Sequence, residues 1–384
     1  MYNIQQQSFP ITSQPIFQNG VVIGKFMPFH LGHEILIKFA RSQVKTLYVL
    51  VDNVPNELLT SEQRAKMIQD KFPDIHVGYF PEKMPQEPGD SPDFWSIWND
   101  GIQRNVNILY QKHIHKLKKE LETHFHIDYD TFHEKQMGNV KIDAIIAAMD
   151  YGDTLAKNLN AKFIPIDIER EIIHISATKI RNEPTQNMHL MSEKAKPYFT
   201  KKIAFIGAES TFKSTIAKEI RNTLHNNPTV VLYVPEFAKA HLKFNNGEFK
   251  KEDIEHIIKS QNNLINTACE YCGGYALCDS DALTTKIYSQ FAFPELINNF
   301  PGHLESIVQK QNFHMTFLFK PDSNTPFVDD IHRKVFDIKS YDNRMDIFNA
   351  MKKELENIGR PYIIVEGSYQ DRFKTILNYL HQSK

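Results

Sequence analysis

The stretch from Val21 to His33, VVIGKFMPFHLGH, decides the fold of the N-terminal half. Val21, Val22 and Ile23 form a β-branched apolar run, and Gly24 breaks it where a strand must hand over to a loop. Pro28 stiffens that loop, and Gly32 lets the backbone approach something closely. His30 and His33 stand one helical turn apart at the start of an amphipathic run through Ile35, Leu36 and Phe39. Two imidazoles on one face of a helix N-terminus suit phosphate, because unpaired amide donors and the helix dipole both favour negative charge there. Read singly, either histidine is a surface or core residue beside a turn. The conjunction of strand, loop, His-Leu-Gly-His and helix is what points to a site.

Outward from this unit, Thr46 to Val51 reads as the next buried strand, and Ser61 to Lys71 as a helix capped by Thr60 or Ser61. A strand over Ile75 to Phe80 follows. Strands alternating with helices imply a parallel sheet, whose ligands bind beyond the carboxyl ends of the strands, where His30 and His33 would lie. Pro81 to Asp93 is rich in proline and acidic residues and reads as a loop. It leads to Trp95 and Trp98, which are either core aromatics on a helix or a platform for a flat cationic ring. A polar helical insertion is expected over about 100–137, carrying His113, His115, His124, His126 and His133 among Lys and Glu. No ligand spacing repeats in it, so a solvated segment is preferred to a metal site. Ala144 to Met149 reads as a strand ending at Asp150-Tyr151-Gly152, and Phe163 to Ile166 as another.

A second motif follows at Ile175 to Arg181, ISATKIR. Ser176 and Thr178 are placed to cap a helix and present hydroxyls, and Arg181 adds a cation one turn later. Residues 184–200, bracketed by Pro184 and Pro197, read as a linker, and a second α/β unit is expected over 201–384. There Ile203 to Ile206 runs into Gly207-Ala208-Glu209-Ser210-Thr211-Phe212-Lys213-Ser214-Thr215. This is the phosphate-binding template G-x-x-x-x-G-K-[ST] with Phe212 in place of the second glycine. Lys213 would reach β- and γ-phosphates and Ser214 would supply a hydroxyl to Mg²⁺, whereas a Cβ and phenyl ring at 212 obstruct the usual loop shape. Later apolar runs deliver acids to the same sheet edge: Val230 to Pro235 before Glu236, and Leu277-Cys278 before Asp279 and Asp281. Of these, Asp279 stands where such a fold places a Mg²⁺-orienting acid or a base. Phe317 to Phe319 and Tyr362 to Val365 supply two more strands.

The 384 residues carry 41% hydrophobic and 24% charged side chains, 11% aromatics and a formal charge of −1. Length suggests two domains or three. Without a global basic field the chain is not expected to bind nucleic acid. Residues 1–20 hold no basic segment followed by an apolar one, and no run approaches a membrane span, so a cytoplasmic protein is expected. They are also too short for a helix-turn-helix domain. Cys269, Cys272 and Cys278 form neither a disulfide framework nor a zinc set, despite one C-x-x-C spacing, and read as buried thiols.

Gly24, Phe26, Pro28, His30, Gly32 and His33 resemble the G-x-F-x-P-x-H-x-G-H signature of nucleotidyltransferases that transfer AMP from ATP, including nicotinamide mononucleotide adenylyltransferases. ISATKIR resembles their I-S-[ST]-T-x-x-R motif, with Ala177 where Ser is usual. GAESTFKST, VPEFAK, CDSDALTT, FVDDIHR and EGSYQDR resemble the ribosylnicotinamide kinase half of bifunctional NadR-type proteins, so the likeness runs from about Val21 to Leu380. It implies an α/β protein with an N-terminal Rossmann-like nucleotidyltransferase domain over 21–183 and a C-terminal P-loop kinase-like domain. It further implies NAD salvage with ATP, nicotinamide mononucleotide and nicotinamide riboside as substrates and Mg²⁺ as cofactor. His30, His33 and Arg181 would be catalytic in the first domain, with Gly24, Lys25, Phe26, Gly32, Ser176 and Thr178 on ATP. Trp95, Trp98, Asp150 and Tyr151 would hold the mononucleotide. In the second domain Gly207, Ser210, Thr211, Lys213, Ser214 and Thr215 would bind ATP, Asp279 and Glu236 would be catalytic, and Ser214 and Asp279 would hold the metal.

With only a short N-terminal extension, a repressor role is not implied by the resemblance, and homo-oligomerisation stays open. Phe212 for Gly, Lys239 for a usual Arg, and Ile331-His332 where a Gly is usual depart from the kinase pattern. A non-catalytic nucleotide-binding module is therefore the alternative for the second domain. Another phosphorylated acceptor, as in cytidylyl- or pantetheine-phosphate adenylyltransferases, is the alternative for the first.

Overall fold

The computed structural model describes residues 14–125, 138–182, 184–225, 231–325, 327 and 340–382. His126 and His133 of the expected insertion, Val230, and the FVDDIHR segment beyond Phe327 lie outside the described residues. The chain divides into two compact units, Met1–Asn182 with Leu190–Ala195, and Glu183–His189 with Lys196–Lys384.

In the first unit five strands, β1 (Phe17–Gly24), β2 (Val44–Val51), β3 (His76–Tyr79), β4 (Ala144–Ala147) and β5 (Lys162–Pro165), form a sheet in the order β3-β2-β1-β4-β5. Every pairing in it is parallel. β1 is central because Val21 and Val22 are fully buried, as parallel strands covered on both faces require. The crossover helices are α1 (Leu31–Gln43), α2 (Ser61–Lys71), α3 (Phe94–Phe125), α4 (Tyr151–Asn158) and the short α5 (Ala177–Asn182). Thr60 caps α2 in a reciprocal box with Gln63, satisfying two otherwise unpaired amides.

Two expectations need correction here. The helix placed at about 100–137 as a solvated insertion begins at Phe94, and its first half belongs to the core. Ile102 and Val106 are completely buried against the sheet with Phe80 and Met84. The Lys- and Glu-rich composition of the second half masked this two-part character. Residues 184–200 are likewise not a free linker: Met191 bridges to His30, and the Ser192 amide donates to the Phe29 carbonyl at 3.0 Å.

The second unit repeats the plan with β6 (Lys201–Gly207), β7 (Val231–Val234), β8 (Tyr275–Asp279), β9 (Met315–Phe319) and β10 (Tyr362–Val365) in the order β10-β9-β6-β8-β7. These pairings too are all parallel. Its principal helices are α6 (Lys213–His225), α7 (Phe237–Phe244), α8 (Asp253–Tyr271), α9 (Ala282–Ala292), α10 (Gly302–Lys310), α11 (Tyr341–Asn357) and α12 (Tyr369–Gln382). Asp281 caps α9 and pairs with Arg360, both side chains almost completely buried, which makes this carboxylate a structural one. All three cysteines are free and buried, and burial holds their thiols above the ordinary range. Among the described residues no helix is long and apolar enough to cross a membrane.

Candidate functional site

In the first unit β1 ends at Gly24 and the chain turns through Phe26, whose φ of 49° is left-handed. The Phe26 ring is buried and meets His33 edge-on, ring centroids 4.9 Å apart. His30 occupies the cap position of α1, and its Nδ1 accepts from the Gly32 amide at 3.1 Å. A nitrogen that accepts from an amide carries no proton, so the neutral ring has its N–H at Nε2. The His30 and His33 rings stack with centroids 3.7 Å apart and planes 21° from parallel. A Cβ on Gly32 would fall 3.0 Å from the His30 ring, so the glycine is what lets that ring lie over the first turn.

The second motif closes on the first. Ser176 Oγ accepts from the Lys179 amide at 3.1 Å and so caps α5. Arg181 donates to Thr178 Oγ1 at 3.1 Å and to the Met27 carbonyl of the first loop. The two motifs, about 150 residues apart in sequence, share one cavity of about 610 Å³, within the usual range for a nucleotide-sized ligand. Gly24, Lys25, Phe26, His30, Gly32 and His33 line one side of it, with Ser176, Thr178 and Arg181 beside them and Trp95, Trp98 and Tyr151 completing the wall. Asp150 is exposed and is not among the lining residues, although its neighbours Met149 and Tyr151 are.

Both tryptophans are partly buried on helix α3 and both line the cavity. Trp98 is fixed, its Nε1 donating to the Pro85 carbonyl at 3.0 Å and its ring edge-on to Phe80, while Trp95 leans edge-on against Phe94. Each keeps a surface on the cavity.

Electrostatics make this a cavity of neutral imidazoles beside cations. Burial, and then the Arg170 charge, lower His30 to about 4. Burial, His30 and Arg170 in that order hold His33 well below the ordinary histidine range. At neutral pH each ring is therefore an N–H donor without charge. Tyr151 is pushed up to about 12 by burial and the Asp52 charge, and its hydroxyl donates to the Ile23 carbonyl at 3.1 Å.

Asp52, Gln86 and Arg170 line the same cavity and were not found from the sequence. Asp52 follows β2 directly, at a carboxyl end where parallel sheets bind ligands, and that position was the available signal. Arg170 sits on a turn from Asp167 in which both residues are left-handed, a shape that the sequence IDIER does not announce.

In the second unit β6 delivers the phosphate-loop sequence at Gly207, whose φ is +141° and where a Cβ would stand 2.6 Å from the Phe319 carbonyl oxygen. Ser210 and Phe212 are left-handed, with φ 56° and 69°. Phe212 thus adopts the backbone region that favours glycine, and its ring is edge-on to Tyr369 of α12, centroids 5.4 Å apart. Lys213 Nζ donates to the Ala208 carbonyl at 2.6 Å, and Thr211 Oγ1 donates to the same oxygen at 2.8 Å.

At the end of β8, Asp279 Oδ2 accepts from the Tyr233 hydroxyl at 2.7 Å, while its buried Oδ1 has no hydrogen-bond partner. Burial and the Asp279 charge raise Tyr233, with Glu236 adding to the shift and a Ser214 hydrogen bond opposing it. Asp279, Ser214 and Glu236 are therefore gathered around one phenol, while Thr215 is exposed on the first turn of α6. Among the described residues no cluster of three or more His, Cys, Asp or Glu side chains could hold a metal.

A cytidylyltransferase-like family model matches residues 21–183, and an AAA domain model matches residues 202–372. The chain is 24% identical over 374 residues to the trifunctional NAD biosynthesis/regulator protein NadR of Escherichia coli (strain K12), covering 92% of this chain and 80% of that protein. The chain is homologous to NadR. The NadR of Salmonella typhimurium matches to the same extent, again with 24% identity. Among solved structures, a NadR protein in complex with NR matches with a TM-score of 0.65 and 17% identity, covering 96% of this chain and 97% of that one. A NadR complex with NAD and AMP-PNP matches equally well. The shared fold is thus two parallel-sheet α/β units, a nucleotidyltransferase-like one and a P-loop kinase-like one.

Proposed function

We propose that this chain makes NAD in two ATP-dependent steps, through a nucleotidyltransferase domain over about 21–183 and a kinase-like domain over 201–384. In the first domain the phosphate of nicotinamide mononucleotide attacks the α-phosphorus of ATP in line. A phosphate oxygen bonds to that phosphorus, the bond to the bridging oxygen breaks, and pyrophosphate leaves with the electron pair. Such transfer needs positioning and charge neutralisation rather than a covalent intermediate. The observation that carries this reading is the single cavity shared by the stacked His30–His33 pair, Ser176, Thr178, Arg181 and both tryptophans. His30 and His33 donate N–H groups to the ATP phosphates, and Ser176, Thr178 and Arg181 hold the departing β- and γ-phosphates. Trp95 and Trp98 bound the pyridine.

In the second domain ATP phosphorylates nicotinamide riboside, with Lys213 and Ser214 on phosphates and Asp279 or Glu236 beside the ribose hydroxyl. The left-handed φ of Phe212 and its ring packed on Tyr369 favour a working loop over a disabled one, because the backbone adopts the glycine-like shape and the phenyl ring has a packing partner on α12. The donors present fit Mg²⁺, a hard cation that takes oxygen ligands: Asp279 Oδ1 is buried without a partner, and Ser214 stands on the same phenol as Asp279. Mg²⁺ there would neutralise charge on the transferred phosphoryl group. The NadR relatives, with their printed NAD-biosynthetic role and their NR, NAD and AMP-PNP complexes, support both activities.

His33→Ala tests the two-site reading. NAD formation from mononucleotide should fall by about 10²-fold or more while riboside phosphorylation stays near that of the unaltered protein. Loss of both activities would sink it.

A further inference from the structure

Asp52 lies in the cavity but has no part in phosphate chemistry. It is 3% exposed, its amide donates to the Gly24 carbonyl at 3.0 Å, and it lines the same cavity as Gln86, Trp95 and Trp98. One oxygen, Oδ2, accepts from Gln86 Nε2 at 3.1 Å, and Gln86 Nε2 is itself held by the Met84 carbonyl at 2.9 Å. The other, Oδ1, is buried and has no hydrogen-bond partner. The same loop fixes Trp98 through the Pro85 carbonyl, so the carboxylate and the indole are positioned by adjacent residues, Pro85 and Gln86. A buried acceptor left unmet costs free energy, and a ligand that supplies a donor recovers it.

We infer that Asp52 Oδ1 reads the pyridine substituent of the mononucleotide, accepting an N–H of the carboxamide and excluding a carboxylate. The inference rests on the adenylyl-transfer reading above and names the specificity of that site. A carboxamide has two N–H donors to offer, whereas a carboxylate has none and would set like charges against each other in a desolvated wall. Lys25 is the cation of the cavity lining that acts on Asp52, and it is exposed to solvent, so it does not offset that repulsion at the buried oxygen. Arg64, the other cation acting on Asp52, donates through Nε and Nη1 to the Leu59, Thr60 and Lys25 carbonyls, and its Nη2 is buried without a hydrogen-bond partner. Gln86 orients the carboxylate and is a positioning residue.

The test compares kcat/KM for nicotinamide mononucleotide and nicotinic acid mononucleotide, each with Mg-ATP, in the unaltered protein and in Asp52→Asn. The unaltered protein should favour the amide by about 10²-fold or more, because a site built for an N–H leaves its acceptor unpaired with the wrong partner. In Asp52→Asn, whose side chain can present a donor, the ratio should drop to about tenfold or less, chiefly through improved use of the acid. An unchanged ratio with equal losses for both substrates would assign Asp52 to the ribose they share and overturn the inference. Equal or better use of the acid by the unaltered protein overturns it without any variant, so a misfolded Asp52→Asn does not shelter it. Adenylylation of neither mononucleotide would instead refute the adenylyl-transfer reading.

Discussion

His30→Gln should flatten the acid side of the stability profile of the first unit. The native imidazole is held at about 4, against about 6.5 in an unfolded chain, mainly by burial. As pH falls below 6.5 the unfolded chain takes up a proton that the native ring refuses. The stability tied to the neutral ring is therefore complete above about pH 7, and it is lost as pH falls through 6.5 toward 4. For these two values the loss between pH 7 and pH 5 is about 2 kcal/mol, from linkage at about 1.4 kcal/mol per pH unit. Gln keeps an acceptor for the Gly32 amide and cannot titrate.

Both tryptophans of the chain, Trp95 and Trp98, are in the first unit, so urea unfolding followed by tryptophan fluorescence reports that unit alone. The unaltered protein should lose about 2 kcal/mol more than His30→Gln between pH 7 and pH 5, with His33, held down chiefly by burial, contributing to both slopes. Equal losses in the two proteins would refute a buried, neutral His30.

Lys213→Ala should abolish ADP release from nicotinamide riboside and leave NAD formation from mononucleotide unchanged, which a coupled ADP assay and chromatography would check. Trp98→Ala should lower the stability of the first unit by about 3 kcal/mol, since its indole packs on Phe80 and bonds to Pro85, and near-UV dichroism of the denaturation would report it. Trp95→Ala should act mainly by raising the KM for mononucleotide, and an unchanged KM would remove Trp95 from the pyridine wall. Asp281→Ala should cost the second unit about 3–5 kcal/mol by leaving Arg360 buried without its partner, measurable by calorimetry of the whole chain.

The parts of the fold legible from sequence were those where one physical rule dominated. The apolar runs at Val21, Thr46, Ile203 and Phe317 became central or buried strands, because fully covered parallel strands need continuous apolar residues. The helix expected over Ser61 to Lys71 is α2 to the residue, and of the two candidate caps, Thr60 and Ser61, Thr60 is the one observed. The core aromatics on a helix at Trp95 and Trp98 and the insertion expected from about 100 were read as separate pieces, whereas both belong to the single helix α3, whose polar second half hides the buried Ile102 and Val106.

At the site, motif residues were found because short-range spacing encodes helix caps and loops. Asp52, Gln86 and Arg170 were missed because residues far apart in sequence come to one cavity only in the folded chain. Asp150 is exposed and outside the lining, and the turn it begins reaches the cavity through Tyr151. The Met191–Ser192 segment shows the same limit, since nothing in residues 184–200 indicates that two of them brace the loop of the first motif.

Two working sites in one chain can be tested by incubating the purified protein with Mg-ATP and nicotinamide riboside, and in parallel with nicotinamide mononucleotide, while following mononucleotide and NAD by chromatography. The expected result is NAD from both substrates, with mononucleotide appearing transiently from the riboside. NAD from mononucleotide alone would contradict the kinase assignment and leave the Phe212 loop as a nucleotide-binding module.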